Sequence, residues 1–325
     1  MTPGRLANFL AIIEHGSARA AAERLSVTES AVSASLAALH REVGIALLER
    51  SGRGLRLTDA GTVFAGYARR ILGLIDEGIA AAREGNAVER GRVRLGSVTT
   101  VGEYLVPGLL ASFRRRYPRV EITLDVGVRD RIFALLADHQ LDVVIGGRPL
   151  PGRGFVTRAT RANSLIVVAR AAEAVPDLHA VTWLLREPGS GTRDTTLALL
   201  DSLDLTPPLL ALGSHGAVVA SAVLGLGVTL VSADSVAHHL HIGELHRIAV
   251  RGTPLDRPWH AVTSTAPTGT TRLFISHLTD PAHADELVFQ ARPASRRAQV
   301  GPSAGEHASP RIPHQRVRST ARAKP

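Results

Sequence analysis

Cysteine is missing from all 325 residues, which excludes disulfides, thiolate metal sites and thiol-based redox sensing. No GxxxxGK(S/T) stretch occurs, so the phosphate loop of nucleotide hydrolysis is absent. Ser190, Asp201 and Asp204 form no recognisable triad with any histidine, and His238, His239, His241 and His246 have no further ligand at fixed spacing. The four histidines read as a solvated helix face, and neither an enzyme, a metal nor a cofactor is expected. Long apolar runs are scarce as well. The first is broken by Glu14 and His15 and does not read as a secretory leader. Residues 216–233 lack charge for eighteen positions, just enough for a crude membrane span. Three glycines split that run into a helix at 217–224, a turn and a strand at 228–232. A buried helix–strand unit in a cytoplasmic protein without membrane contact is the expectation.

What is present in excess is positive charge, +9 in all, but its distribution is uneven. Residues 291–325 hold eight Arg or Lys and one acid, +7, which leaves the other 290 residues at +2. This tail is rich in Pro, Ser, Ala and Arg and has too little apolar surface to fold, so it reads as a disordered, solvated segment. Residues 1–90 carry eleven Arg against ten acids. Any affinity of that region for nucleic acid therefore rests on local clustering, not on bulk charge.

Such a cluster exists. Ser17 and Thr28 are each placed to cap a helix, giving a helix pair at 17–25 and 28–41. Val32, Leu36 and Leu39 fall at i, i+4 and i+7, so they turn inward against Leu25 and the helix of Phe9, Ile12 and Ile13. Ser30, Ser33, Ala34 and Ala37 are left on the outer face, short enough for the helix to lie deep in a major groove. A following loop, 49–56, carries Arg50, Arg53 and Arg56 on glycine-softened backbone suited to phosphates or a minor groove. On spacing alone, an αα-hairpin without DNA fits equally well. Thr28, Glu29, Ser30, Ser33, Arg50, Arg53 and Arg56 are the candidate DNA-binding residues.

The residues themselves go further. GSARAAAERL at 16–25, TESAVS at 28–33 and GIALLERSGRGLRLTDAG at 44–61 resemble the amino-terminal domain of LysR-type transcriptional regulators over residues 9–61. Three positions depart from that pattern: Glu29 stands for a usual Gln, Ser30 for a common Pro and Ala34 for a frequent Arg. A carboxylate can accept from cytosine N4 but is repelled by phosphate, so operator preference does not carry over. The resemblance implies a winged helix-turn-helix, a double-stranded DNA operator, contact with RNA polymerase, and assembly as a homodimer or tetramer.

Thr58 caps a helical pattern that runs to about residue 84, with Phe64, Tyr67, Ile71 and Leu74 forming a seam. A helix of about 40 Å projecting between two domains has little of its own to pack on, so the seam calls for a second copy. From residue 92 short apolar strands alternate with helices, the pattern of α/β lobes. Expected elements include a helix at 103–117, strands at 93–96, 120–126 and 143–145, and a return to the first lobe at 260–264. Together with the resemblance, the fold class is α/β: a winged helix-turn-helix at 1–60, a linker helix at 61–91, a two-lobed effector domain like the periplasmic binding proteins at 92–290, and the tail at 291–325.

Three segments of this domain suit a small ligand in a cleft at strand ends. Ser97, Thr99 and Thr100 follow a strand and precede a helix, and Gly147 and Arg148 follow another strand. Gly191, Thr192 and Arg193 lie in a Gly-Ser-Gly-Thr turn ahead of a helix, where backbone amides favour anions. A helix cap with surface arginines is the plainer alternative. The LREPGSGTR string at 185–193 is similar to regulators of carbon-fixation and sulfur-related operons, which implies an anionic effector. Arg129 stands where relatives often carry Asn. A transporter-type solute receptor would not need residues 1–60, and a cytoplasmic small-molecule-binding protein without regulatory DNA binding is the remaining alternative.

Overall fold

The computed structural model describes residues 1–51, 54–85, 87–149, 154–170, 177–284 and 287–292. It opens with three helices, α1 (Pro3–His15), α2 (Ala18–Leu25) and α3 (Glu29–Val43). Ser17, Thr28 and Thr58 each accept a backbone N–H at a helix start, from Ala20 at 3.1 Å, Ala31 at 3.2 Å and Gly61 at 2.9 Å. Val32 and Leu39 of α3 are buried with Leu6, Phe9 and Ile12 of α1. Leu25, expected inside, is 37% exposed; the small side chains of Ala21 and Ala22 occupy the contact instead. The arginine-bearing segment expected as a loop is a hairpin, β1 (Leu48–Ser51) and β2 (Gly54–Leu57), with Glu49 opposite Arg56 and Arg50 opposite Leu55.

α4 (Asp59–Glu84) spans 26 residues, and its two halves pack on different partners. Near its start, Phe64 meets Phe9 edge to face at 5.5 Å, so it belongs to the winged domain's core and not to an outward seam. Tyr67, Ile71 and Leu74 do face outward and are joined there by Val63, Ile75 and Ile79. The second half has more to pack on than its position between domains suggested. Arg70 pairs with Asp138 at 3.5 Å, Glu77 meets His139 at 2.7 Å, and Asp76 pairs with Arg92 and Arg94. Buried Glu84 accepts from the Thr270 N–H. Gly73 permits this approach: a Cβ there would stand 2.4 Å from the carbonyl oxygen of Asp138 and 2.8 Å from His139 Cβ. Gly73→Ala should weaken the seat of α4 by about 1–3 kcal/mol, the usual cost of overpacking, and speed amide exchange over residues 138–142. Unchanged exchange there would count against the contact.

The remaining chain forms two lobes. In order come β3 (Arg92–Val98), α5 (Thr99–Tyr104), α6 (Val106–Arg116), β4 (Glu121–Gly127), α7 (Arg129–Ala137), β5 (Val143–Gly146) and β6 (Val156–Arg161). β7 (Ser164–Ala169), β8 (Trp183–Leu185), α8 (Gly191–Ser202), β9 (Leu209–Ala211), α9 (His215–Val223), β10 (Thr229–Ser232), α10 (Ala237–His241), β11 (His246–Ile248) and β12 (Leu255–Asp256) build the second lobe. The chain then returns with β13 (Trp259–Thr263), α11 (Gly269–Thr279), α12 (Pro281–Ala284) and β14 (Gln290–Ala291). One continuous helix at 103–117 is not found. Pro107 has no N–H to offer the carbonyl four residues earlier, and the helix breaks at Leu105 into α5 and α6.

The first lobe's sheet runs β14-β6-β13-β5-β3-β4, with β3 parallel to β4 and β5, and β13 antiparallel to β5 and β6. Phe113 of α6 and Phe274 of α11 meet edge to face at 5.0 Å on one face, while Ile132, Phe133 and Leu136 of α7 cover the other. In the second lobe β10, β11 and β12 all pair antiparallel with β7, while β8 and β9 pair parallel. The first lobe's sheet is therefore mixed, whereas the second lobe combines an antiparallel sheet with a separate parallel pair. The run at 216–233 is the expected helix and strand, α9 and β10, and among the described residues no helix is long and apolar enough to cross a membrane.

Candidate functional site

The outward face of α3 is exposed along Glu29, Ser30, Ser33, Ala34 and Ala37. Thr28 is committed to its cap and lies 3.1 Å from the Ser30 hydroxyl, which fixes both at the helix's leading edge. In the adjacent hairpin Arg50 is exposed and Arg56 pairs with Glu49 at 2.8 Å. Of the two, Arg50 has more of its charge to offer an incoming phosphate. Arg53 lies outside the described residues.

Between the lobes lies a cleft of about 640 Å³. Its first-lobe wall carries Thr99, Thr100, Arg129, Gly147 and Arg148; its second-lobe wall carries Ser190, Gly191, Thr192, Asp194 and Thr195 from the start of α8. Two chain crossings floor it, and they are laced together. Asn163 donates its side-chain amide to the Arg257 carbonyl at 2.8 Å, and Arg257 N–H returns to the Asn163 carbonyl at 2.9 Å. That lacing sets Arg257 on the cleft beside Trp259 and His260. Asn163 is itself held by the Ser232 hydroxyl.

Arg129, Arg148 and Arg257 all line the cleft, and among the described residues none forms an ion pair. Arg257 is held below its ordinary pKa by burial and by the charges of Arg129 and Arg148, opposed by Asp194. His260, only 3% exposed, is pushed down to about 4 by burial and then by Arg148, Arg292 and Arg257. A space where cations depress one another is one that gains most from an anion. Arg186, also on the wall, is different: its guanidinium is buried and bound twice to Glu187, at 2.7 and 2.6 Å, with a long contact to the Thr100 hydroxyl across the lobes. Burial pushes Glu187 up, but the bonds from Arg186 leave it below the ordinary carboxylate value.

Thus seven of the nine residues expected at the effector site, Thr99, Thr100, Arg129, Gly147, Arg148, Gly191 and Thr192, are brought to one cavity. Two are not. Ser97 is fully buried and turns its hydroxyl to the Val98 and Ile145 carbonyls, because its position on β3 points into the sheet's own packing. Arg193 turns back from the turn and donates to the Arg186 carbonyl at 2.9 Å. Asn163, Arg257 and His260 were missed. They reach the cleft only because two strands cross between lobes, which no local pattern announces. The histidines at 238–246 form no metal-holding group among the described residues, and His239 pairs with Glu244 at 2.7 Å.

A winged helix-turn-helix on a long helix, followed by two lobes around a polar cleft, defines a DNA-binding transcriptional regulator with an effector-binding domain. The family model for bacterial regulatory helix-turn-helix proteins of the lysR family matches residues 4–62, and that for the LysR substrate binding domain matches residues 86–282. The chain belongs to the LysR family. It is 33% identical over 272 residues to the HTH-type transcriptional regulator CfxR of Cupriavidus necator, covering 80% of this chain and 84% of that one. The full-length regulator CbnR, solved complexed with its target DNA, has the same fold with a TM-score of 0.62 at 22% identity, over 89% of this chain and 100% of that one. The regulatory domain of CcmR from Synechocystis PCC6803, solved in complex with 2-PG, matches with a TM-score of 0.53 at 24% identity, over 57% of this chain and 94% of that domain.

Proposed function

We propose that this regulator's hold on its operator, or its activation of a promoter, is controlled by a small anionic metabolite bound between the two lobes. The observation that carries this is the set of three guanidinium groups, Arg129, Arg148 and Arg257, that line the cleft and form no ion pair among the described residues. Thr99, Thr100, Gly147, Gly191 and Thr192 would add hydroxyls and backbone N–H groups at the anion's edges. The ligand 2-PG of the Synechocystis domain makes it a natural first probe.

Residues 1–60 would grip DNA through Thr28, Glu29, Ser30 and Ser33 in the major groove and Arg50, Arg53 and Arg56 on the backbone or minor groove. Residues 61–91 would join two copies through Tyr67, Ile71 and Leu74, residues 92–290 would bind the effector, and the basic tail at 291–325 receives no part. Ligand closes the lobes about the Asn163–Arg257 lacing. Because α4 is ion-paired to the first lobe, lobe rotation shifts the spacing of the two wings and hence contact with RNA polymerase. The protein would act in the cytoplasm as a dimer or tetramer, without catalysis.

Arg50→Ala should weaken operator binding and lower the slope of log affinity against log salt by about one. Arg56→Ala should do less, since Glu49 already holds that charge. A gel shift on the DNA upstream of the protein's own gene across a salt series reads both. The cleft is tested by calorimetric titration with sulfate, phosphoenolpyruvate and 2-PG; no heat with any of them would overturn the anionic effector.

A further inference from the structure

Among the described residues lining the cleft, His260 has neither ring nitrogen hydrogen-bonded. It sits at the start of β13, across from Gly146 of β5 and Thr160 of β6, is 3% exposed, and neither Nδ1 nor Nε2 has a hydrogen-bond partner. Both nitrogens are buried and unsatisfied, a costly state, so the ring's charge answers to the groups around it and to what occupies the adjoining cleft. The charged groups that act on it are Arg148 from the segment after β5, Arg257 from the segment before β13 and Arg292 from the segment after β14. The neighbouring strand positions, Gly146 and Thr160, carry no charge, and the carboxylates of the cleft, Asp194 and Asp256, are not among the groups acting on it.

We propose that His260 is a proton-taking group beside the effector: neutral while arginines are its only charged neighbours, it becomes an imidazolium when a doubly charged oxyanion settles in the cleft it lines, so that binding takes up a proton. The inference rests on the anionic reading of the cleft and adds to it a preference for dianions, whose second charge matches the added imidazolium. Burial and three guanidiniums hold the ring near 4 beforehand, and an anion on the same spot reverses the largest coulombic influences. Since the group's pKa is higher in the complex, the extra affinity is present at low pH and fades as pH rises through the raised value.

Sulfate is the probe, because its charge does not change between about pH 5 and 8, so that any proton taken up belongs to the protein. Calorimetry of the full chain in two buffers of different ionisation enthalpy counts the protons. Expected are uptake of up to about one proton near pH 6 and an affinity that falls by up to about tenfold per pH unit, with both effects gone in His260→Gln and kept in His215→Gln. Sulfate bound without proton uptake, or uptake that persists in His260→Gln, overturns the proposal and leaves the anion site standing. No sulfate binding at any pH overturns both. Should His260→Gln fail to fold, the imidazole C–H resonance of His260 in the unaltered protein decides: its titration midpoint moves up with saturating sulfate, or the proposal falls.

Discussion

Gly61→Ala should destabilise the winged domain by about 3 kcal/mol, at the upper end of ordinary overpacking, and abolish operator retention. A Cβ at this position would stand 1.9 Å from the Leu47 carbonyl oxygen and 2.8 Å from its carbon. That carbonyl cannot move aside cheaply. It accepts the Thr58 N–H at 3.1 Å, while the Thr58 hydroxyl donates to the Ala46 carbonyl at 2.9 Å and caps α4 at Gly61. Leu47 is also held from behind, its N–H bonded to His40 of α3. The added methyl therefore pushes at once on the entry to the hairpin, on the linker helix and on the helix expected in the groove. For a domain of this size a loss of about 3 kcal/mol lowers the unfolding midpoint by about 12–24 °C. Scanning calorimetry should show that drop in the first transition. Gly4→Ala, whose Cβ would meet nothing within 4 Å, should leave the transition in place. A Gly61→Ala protein with an unshifted midpoint would refute the contact.

Removing two of the cleft's guanidiniums together should have the largest effect on ligand. Hydrogen bonds to charged groups contribute about 1.5–3 kcal/mol each, so Arg148→Ala/Arg257→Ala should cost sulfate or 2-PG about a hundredfold to ten-thousandfold in affinity. Both side chains are exposed to the open cleft, and screening places the result toward the lower figure. Arg193→Ala is the informative contrast. Sequence pattern places that arginine beside the anion, whereas the structure commits it to the Arg186 carbonyl. Its removal should change anion affinity little and lower thermal stability instead. Equal losses in the two variants, read by titration calorimetry, would restore Arg193 to the site and contradict the geometry.

These contrasts mark how far reading the chain could go. The caps at Ser17, Thr28 and Thr58, the inward face of α3, the glycine turn before α8 and the return of the chain at β13 depend on neighbours a few residues apart or on apolar period, and all are visible in the letters. Phe64 misled for the same reason: its spacing matches Tyr67 and Ile71, but only the position of Phe9 across the fold decides which way the stripe turns. β6, β11 and β12 mix charged with apolar residues and β14 is only two residues long, so they carry too little pattern to be seen alone. Asn163, Arg257 and His260 share no motif at all and meet only where two strands cross between lobes.

Alone, the order of residues determined that this is a helix-turn-helix joined by one long helix to α/β lobes, because capping, helical period and strand alternation act over a few residues. Tertiary structure alone decided which arginines face the cleft, which half of α4 is held by the first lobe, and that a buried histidine waits beside the cations. Charge and burial are set by whatever lies within a few ångströms in space, and in this chain those neighbours come from positions as far apart as Arg129 and Arg257.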